Sequence, residues 1–540
     1  MSIQAPLRTT RLATPPDARV VAPSARPAWA GLAAVGLASV LVFWLFDALP
    51  FQDLPAHAGL IAMRHRFGDS PFEQRFFVLA PHIGPYSLFR FLGEGLVRVV
   101  SPTSAVRVIA TLPALATPAA LDFARRRLHG DTSLAAGFLG VALSFGLMTL
   151  LGFASYLLGV AVMLVVFTLW LDLLAAVDRR APTRNRELAM AVLAPLVFIA
   201  HGHAFALFLA LTAVSAIAAG DRLRRVLALR ALAPSLVLAG WVAWIERGST
   251  TPPGSFAVPG ASLEPHFQGA TDKLSLLVTP TLMTRTGIDI VAGIAIWTLV
   301  VACGVATVRD LRASGKGAHP EAGDAASAAH ARALYACAAA IGALFLALPH
   351  AIGWFGFVDG RLVPILLYLC MMAYRPSALG GALRWSLVFG APVLASCMCA
   401  LMLVASYRFQ AEARGYHEVL SEVPAEARLL NLPLDPNSDV FTAHPFIHYD
   451  KLVLAERPIV VSDIWFHQGS ALYPTTANPA LRLPPSYSES DLRGIDWPAY
   501  HLDDWDYVLI RTRPDAAAPA TPPSLAVADH RGGWWLYRAR

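Results

Sequence analysis

Long apolar runs separated by short arginine-rich breaks occupy most of the chain. They fall at about 29–49, 104–122, 133–150, 153–176, 188–200, 204–219, 226–245, 288–308, 333–350, 361–374 and 383–404. A helix needs ~20 apolar residues to cross a bilayer, so the pattern predicts about 11 transmembrane helices. The shorter runs, 188–200 and 361–374, suit spans that face protein or a cavity. Residues 1–27, rich in Pro, Ala, Arg and Thr without hydrophobic periodicity, predict a disordered tail. Segment 51–103 is broken by Arg64, Arg66, Arg75, Arg90 and Arg98. Its stretch from Pro85 to Val100 keeps one apolar face (Leu88, Phe89, Leu92, Leu96, Val99), which predicts a helix lying at the membrane interface. From about residue 405 the chain reads as ordinary water-exposed protein. A helical stretch Arg408 to Val423 precedes β-like runs at Arg428–Leu432, Pro458–Ser462, Tyr507–Arg511 and Trp534–Tyr537, with Pro, Asn and Asp turns between. The expected architecture is a polytopic α-helical membrane protein, with a transmembrane domain over 28–404 and a small α/β domain over 405–540.

Composition sharpens this picture. The 540 residues are 56% hydrophobic and only 15% charged, with a mean hydropathy of +0.52. Soluble domains carry about 25% charged residues, so an ordinary soluble enzyme is excluded. The net charge of +6 comes from 40 Arg and 3 Lys against 37 acids. Arginine at helix ends facing anionic lipid explains that balance, and no aromatic-interleaved basic stripe suggests nucleic acid. Strict alternation from a cytosolic N-terminus puts the arginine clusters near 125–127, 179–186, 222–225, 309–332 and 375–384 inside. Segment 51–103, the loop 246–287 and the terminal domain then share the extracytoplasmic face. The stretch 309–332, Gly/Ala-rich and polar, predicts a flexible connection. All five cysteines lie within apolar runs, which argues against disulfide staples and thiolate metal sites.

Candidate chemistry collects at the outer ends of the spans. In Phe51-Gln52-Asp53-Leu54-Pro55-Ala56-His57, Asp53 and His57 are one helical turn apart and Pro55 fits the first turn of a helix. A carboxylate held at a membrane–water boundary suits a general base, while the same residues also read as a plain helix cap. Arg361, in Phe357-Val358-Asp359-Gly360-Arg361, starts a span at its outer end. It can grip a phosphate bidentately, with Asp359 orienting it or meeting an acceptor; snorkelling to headgroups is the competing reading. Arg64, Arg66, Arg75 and Arg90 are further phosphate candidates. His201 and His203 form the turn between two short spans and can line a cavity or hold a metal with Asp53 and His57. Asp69 and Glu73 are the other acids of the first outer segment. The loop 246–287, with Glu264, His266 and Asp272, suits a cover over a cavity. In the terminal domain, Asp503-Asp504-Trp505-Asp506 reads as a solvated turn, and His444, His448, His467 and Trp465 are candidate glycan contacts.

The layout resembles the GT-C class of integral membrane glycosyltransferases. The likeness covers residues 29–404: a basic-ended signal anchor, a first outer loop opening on an acid, an interfacial helix, then Val100-Ser101-Pro102, Arg107 and a span ending in an arginine cluster. The resemblance implies transfer of a sugar from a polyprenyl-phosphate carrier to an extracytoplasmic glycan, lipid or protein. In that class the first-loop acid, matched here by Asp53, is the catalytic base or part of the acceptor site; the reading taken with it has Asp53 as base with His57 in support, Arg361 or Arg64 at the donor phosphate, and His201, His203, Asp359 and Glu73 near substrate. It further implies a multi-pass protein of the bacterial inner membrane, with a divalent metal allowed but not required. Position 52 is Gln where many members carry a paired acid. A transporter of lipid-linked sugars and a non-catalytic membrane assembly protein are the competing readings.

Overall fold

The computed structural model describes residues 26–79, 83–178, 181–218, 229–248, 264–314, 322–353, 355–464, 472–492 and 494–540. Most of the expected tail at 1–27 lies outside them, as do the arginines at 222–225 and much of the loop 246–287. Among the described residues, five helices are long and apolar enough to cross a membrane: Pro102–His129, Ala154–Val177, Ile288–Ala313, Asp324–Ala347 and Gly381–Ala413. Four shorter apolar helices accompany them: Ala28–Leu41, Gly202–Ala218, Arg230–Ile245 and Leu362–Ala373.

Local chemistry sets these boundaries. Ser101 caps the helix Pro102–His129 by accepting from Ser104 N, Pro102 fills the first turn, and Gly130 at φ +65° closes the far end. Pro113 and Pro118 sit inside this helix, and Ser144 Oγ donates at 3.3 Å to Ala114 O, the carbonyl that Pro118 leaves free. The first helix stops at Leu41, short of the apolar run that extends to 49. Arg107 takes over the carbonyls this exposes, donating to Phe43 O at 3.0 Å, Phe46 O at 2.9 Å and Asp47 O at 2.7 Å. The run at 133–150 is two short helices, Ala135–Ala142 and Leu147–Leu150, rather than one span. The chain breaks at Gly146 because Leu147 N donates to Thr279 O at 2.9 Å, and a side chain at 146 would collide with the Pro280 backbone. The last long helix continues past 404 to Ala413. The helix expected over 408–423 is therefore its end plus a separate turn, Tyr416–Ser421, hinged at Gly415 with φ +87°.

Nine strands are described. β1 (Phe77–Leu79), β2 (Pro265–His266) and β3 (Ala351–Ile352) are short, and β2 pairs antiparallel with β3. β4 (Arg428–Pro433), β5 (Val460–Val461), β6 (Leu472–Pro474), β7 (Tyr507–Arg511), β8 (Leu525–Arg531) and β9 (Trp534–Ala539) belong to the terminal part. There the sheet order is β5-β4-β7-β9-β8, with β5, β4 and β7 parallel and β9 antiparallel to both β7 and β8. The central β4 is buried along nearly its whole length, as expected of a parallel strand covered on both faces.

The terminal part is sewn to the first outer segment. β1 pairs with β6, Arg66 Nη2 donates to Leu454 O at 2.7 Å, and the Tyr449 hydroxyl donates to Leu49 O at 2.9 Å. The loop before Ile288 joins the same end, with Arg285 N donating to Val440 O at 3.0 Å. The far ends of the helices hold the arginine clusters in ion pairs. Arg125 meets Asp131 at 2.8 Å, Arg127 and Arg186 share Asp172 at 2.8 and 2.6 Å, and Arg375 pairs with Asp310 and Asp324.

Candidate active site

Asp53 stands at the start of the helix Leu54–Arg66, with Pro55 in the first turn. It occupies the cap position, yet its side chain makes no capping hydrogen bond. The buried carboxylate turns instead toward His448 Nε2, 3.6 Å from Oδ1, and accepts from Gln52 Nε2 at 3.4 Å. Two contacts fix the backbone here. Gln52 N donates to Leu150 O at 2.8 Å, and Gly152, at φ +77°, lies so close that a Cβ there would fall 2.7 Å from Asp53 N. Only glycine accommodates both that conformation and that approach. Burial pushes the Asp53 carboxyl up to about 6, against the opposing pull of His448, Gln52 and Arg361.

The terminal domain supplies the other wall. His448 ends the turn Pro445–His448, immediately before the helix Lys451–Glu456. Its Nδ1 lies 3.1 Å from Glu489 Oε2, and Lys451 Nζ donates to that same oxygen at 2.6 Å. Glu489 Oε1 accepts from Asn431 Nδ2 at 3.0 Å and from the Tyr487 hydroxyl at 2.9 Å. Lys451 also meets Asp450 at 3.1 Å. Burial alone raises Glu489, but Lys451 and His448 outweigh it and hold this carboxyl below its usual range. Burial and Lys451 disfavour a charge on His448, and Glu489 with Asp53 more than offset them, so its imidazole is raised. Asp463 adds a further carboxylate, raised by burial and by Glu489.

Donor atoms of His448, Asp463 and Glu489 fall within 4.8 Å of one another, a spacing open to a divalent cation. The Glu489 oxygen that faces His448 already receives the Lys451 ammonium. Neighbouring positive charge on that oxygen favours a hydrogen-bonded network over a ligand set.

A second group of side chains gathers around Arg361, at the N-terminal end of Leu362–Ala373. Its guanidinium carbon lies 4.1 Å from the Phe355 ring centre, 4.6 Å from Phe153 and 5.8 Å from Tyr156. The Tyr156 hydroxyl donates to the Arg361 carbonyl at 2.6 Å, locking the backbone. Arg361 Nε and Nη1 are buried and have no hydrogen-bond partner among the described residues. A cation held so, among aromatic faces with two buried nitrogens unpartnered, has the chemistry to take up an anion. His201 is buried between Tyr86 and Tyr156, with ring centres 4.7 and 5.4 Å away. Its Nδ1 accepts from His203 N at 3.2 Å, which leaves the ring proton on Nε2. The His203 ring lies 5.9 Å from Tyr156 and 6.4 Å from Phe355. Asp53 and Arg361 each bias the other's charge. The structure therefore brings Asp53, Arg361, His201 and His203 into one electrostatic neighbourhood.

The other candidates lie differently. His57 shares a helix turn with Asp53 and packs its ring on Phe89 at 4.4 Å. Arg64 pairs with Glu94 at 2.6 Å. Glu73, fully buried, pairs with Arg66 at 2.6 Å and so helps join the first loop to the terminal domain. Asp359 corrects the expectation that it orients Arg361. One of its oxygens accepts from Lys273 Nζ at 2.8 Å, and the other meets His350 Nδ1 at 2.8 Å and Gly360 N at 2.7 Å, so it braces the outer loops. Asp504 and Asp506 pair with Arg482 and Arg428 as a surface turn would. Trp465 and His467 lie outside the described residues.

No protein-family model and no curated protein matches the chain. Among solved structures it is similar to the oligosaccharyltransferase of Archaeoglobus fulgidus in its apo form, at 12% identity and a TM-score of 0.44, over 89% of this chain and 69% of that one. It is also similar to the arabinofuranosyltransferase AftD from Mycobacteria, at 15% identity and a TM-score of 0.47, over 94% of this chain and 40% of that one. A third is AglB from A. fulgidus in complex with an inhibitory peptide and a dolichol-phosphate, at 12% identity and a TM-score of 0.35, over 90% of this chain and 70% of that one.

Proposed function

We propose that the chain is a GT-C-like glycosyltransferase of the bacterial inner membrane, moving a sugar from a polyprenyl-phosphate carrier to an extracytoplasmic glycan, lipid or protein. The observation that carries this reading is a buried carboxylate, displaced toward neutral pH, within the field of a buried guanidinium whose Nε and Nη1 are unpartnered among the described residues. A lipid phosphate needs little protonation to leave, but its developing charge needs a fixed cation. Arg361 supplies that cation in a dry aromatic surround, where a charge-assisted contact is strong. The acceptor hydroxyl needs a base, and Asp53 is ionised at pH 7 yet basic enough to take a proton. Displacement by the acceptor then inverts the anomeric carbon without a covalent enzyme intermediate. His201 and His203, near Arg361, suit contacts to the sugar or phosphate.

The test uses purified protein in nanodiscs with a panel of farnesyl-phosphoryl hexoses and pentoses and a panel of glycan, glycolipid and peptide acceptors, reading acceptor-dependent release of farnesyl phosphate. Wild type should release it from at least one member of the panel. Asp53→Asn should lower the rate by ~10²–10⁴-fold with binding of that donor retained. Undiminished release by the variant removes Asp53 from the role of base.

A further inference from the structure

His448 lies outside the apolar spans, in the terminal domain, yet it reaches the carboxylate of the first loop. Its imidazole sits between two acids, with Asp53 Oδ1 at 3.6 Å from Nε2 and Glu489 Oε2 at 3.1 Å from Nδ1. Five groups hold Glu489 in turn: Lys451, Asn431, Tyr487, Ser462 and His448 itself. A carboxylate gripped this way fixes both the tautomer and the orientation of the imidazole it binds. The His448 side chain is buried, so the arrangement is built into the junction between the two parts of the protein.

We propose that His448 is a positioning residue for Asp53. Glu489 holds the imidazolium at Nδ1, and Nε2–H, facing Asp53 Oδ1, keeps that carboxylate ionised and aimed for the acceptor hydroxyl. This rests on the reading of Asp53 as base. In the step, the acceptor oxygen bonds to the anomeric carbon, and the bond from that carbon to the phosphate oxygen breaks with its electron pair leaving on the lipid phosphate. The hydroxyl proton passes to Asp53, which gives it up to water after the sugar has left, while His448 stays an imidazolium flanked by Glu489. The charged and titratable groups facing the pair are Arg361 from the membrane part, Asp450 and Lys451 from the helix start, Asp463 from the end of β5, and Glu489. Lys451 opposes a charge on His448, while Glu489 and Asp53 favour it. The terminal domain thereby becomes part of the reaction centre, not only a surface for acceptors.

Two measurements on the full-length protein in nanodiscs test this. The first follows the His448 imidazole by nitrogen-15 NMR, assigned with His448→Gln, and needs no substrate. Asp53→Asn should lower the His448 titration midpoint by about one pH unit or more, as loss of an adjacent carboxylate does; an unchanged midpoint overturns the proposal. The second reads acceptor-dependent farnesyl phosphate release with the same donor and acceptor panels. His448→Gln should lower kcat by ~10²-fold, keep the donor KM within about twofold, and move the acid limb of the pH profile upward. Glu489→Gln should move that limb the same way by less. A folded His448→Gln protein with wild-type kcat and an unmoved limb overturns the proposal, as does release that requires added manganese after EDTA treatment. Release retained in Asp53→Asn instead sinks the assignment of the base itself, so the two failures are distinguishable.

Discussion

Replacing Asp53 by Asn removes a charge and keeps the shape, and it should make the protein more stable while disabling it. Burial displaces the Asp53 carboxyl from its usual 3.8 to about 6, and at about 1.4 kcal/mol per pH unit this is about 3 kcal/mol. Its sign follows from linkage. Because the folded-state value lies above the unfolded one, the folded protein holds the proton more tightly between those values. The cost of the ionised carboxylate is therefore fully present above pH ~6–7 and absent below pH ~4, where both states are protonated. Asp53→Asn should accordingly raise the thermal unfolding temperature by a few degrees at pH 8, order of magnitude. The gain should shrink steadily toward pH 4. Unfolding in detergent followed by tryptophan fluorescence, at matched lipid content, reads this directly. An equal or lower unfolding temperature at pH 8 refutes the claim that Asp53 is a desolvated carboxylate. A gain independent of pH refutes the linkage.

The remaining predictions concern the cation, the backbone and the brace. Arg361→Lys keeps the charge but loses the planar fork, so donor KM for the farnesyl-phosphoryl sugar should rise by ~10–100-fold; a KM within twofold of wild type removes Arg361 from the phosphate site. Gly152→Ala places a Cβ 2.7 Å from Asp53 N at φ +77°, so kcat should fall by at least ~10-fold with donor binding preserved. Wild-type turnover there shows that the approach of Gly152 to Asp53 is slack. Asp359→Ala leaves Lys273 and His350 without their shared carboxylate and should cost about 3–5 kcal/mol. It should appear as a lower unfolding temperature, whereas donor KM should hold in the folded fraction.

How much of this was legible in the chain follows from what each signal depends on. Helix spans rest on local hydrophobicity, so Pro102–His129, with its Ser-Pro start and glycine close, is readable from a short window. The break at Gly146 is not, because its cause is the carbonyl of Thr279 from a distant loop. Asp53 and Arg361 stand out because charge next to an apolar run is conspicuous. Asp53 in fact satisfies both local readings: it holds the cap position while its carboxylate serves other partners. Asp359 is as conspicuous as Arg361 in sequence, yet Lys273 and His350 claim its oxygens from remote segments. In sequence His448 reads only as a sugar contact, and no local pattern marks Glu489 or Lys451. Glu489 sits in a serine-rich loop, and nothing local marks either residue as buried or paired. Their role arises from the docking of the helix Lys451–Glu456 onto the first outer segment, a tertiary event without a short-range pattern.

The most direct measurement is a cryo-EM structure of the protein in nanodiscs with a bound farnesyl-phosphoryl sugar. Its phosphate should lie within ~3 Å of Arg361 Nη atoms, with the anomeric carbon facing Asp53 across a space the size of one hydroxyl group. A phosphate seated away from Arg361, or an anomeric carbon turned from Asp53, contradicts the proposed reaction centre.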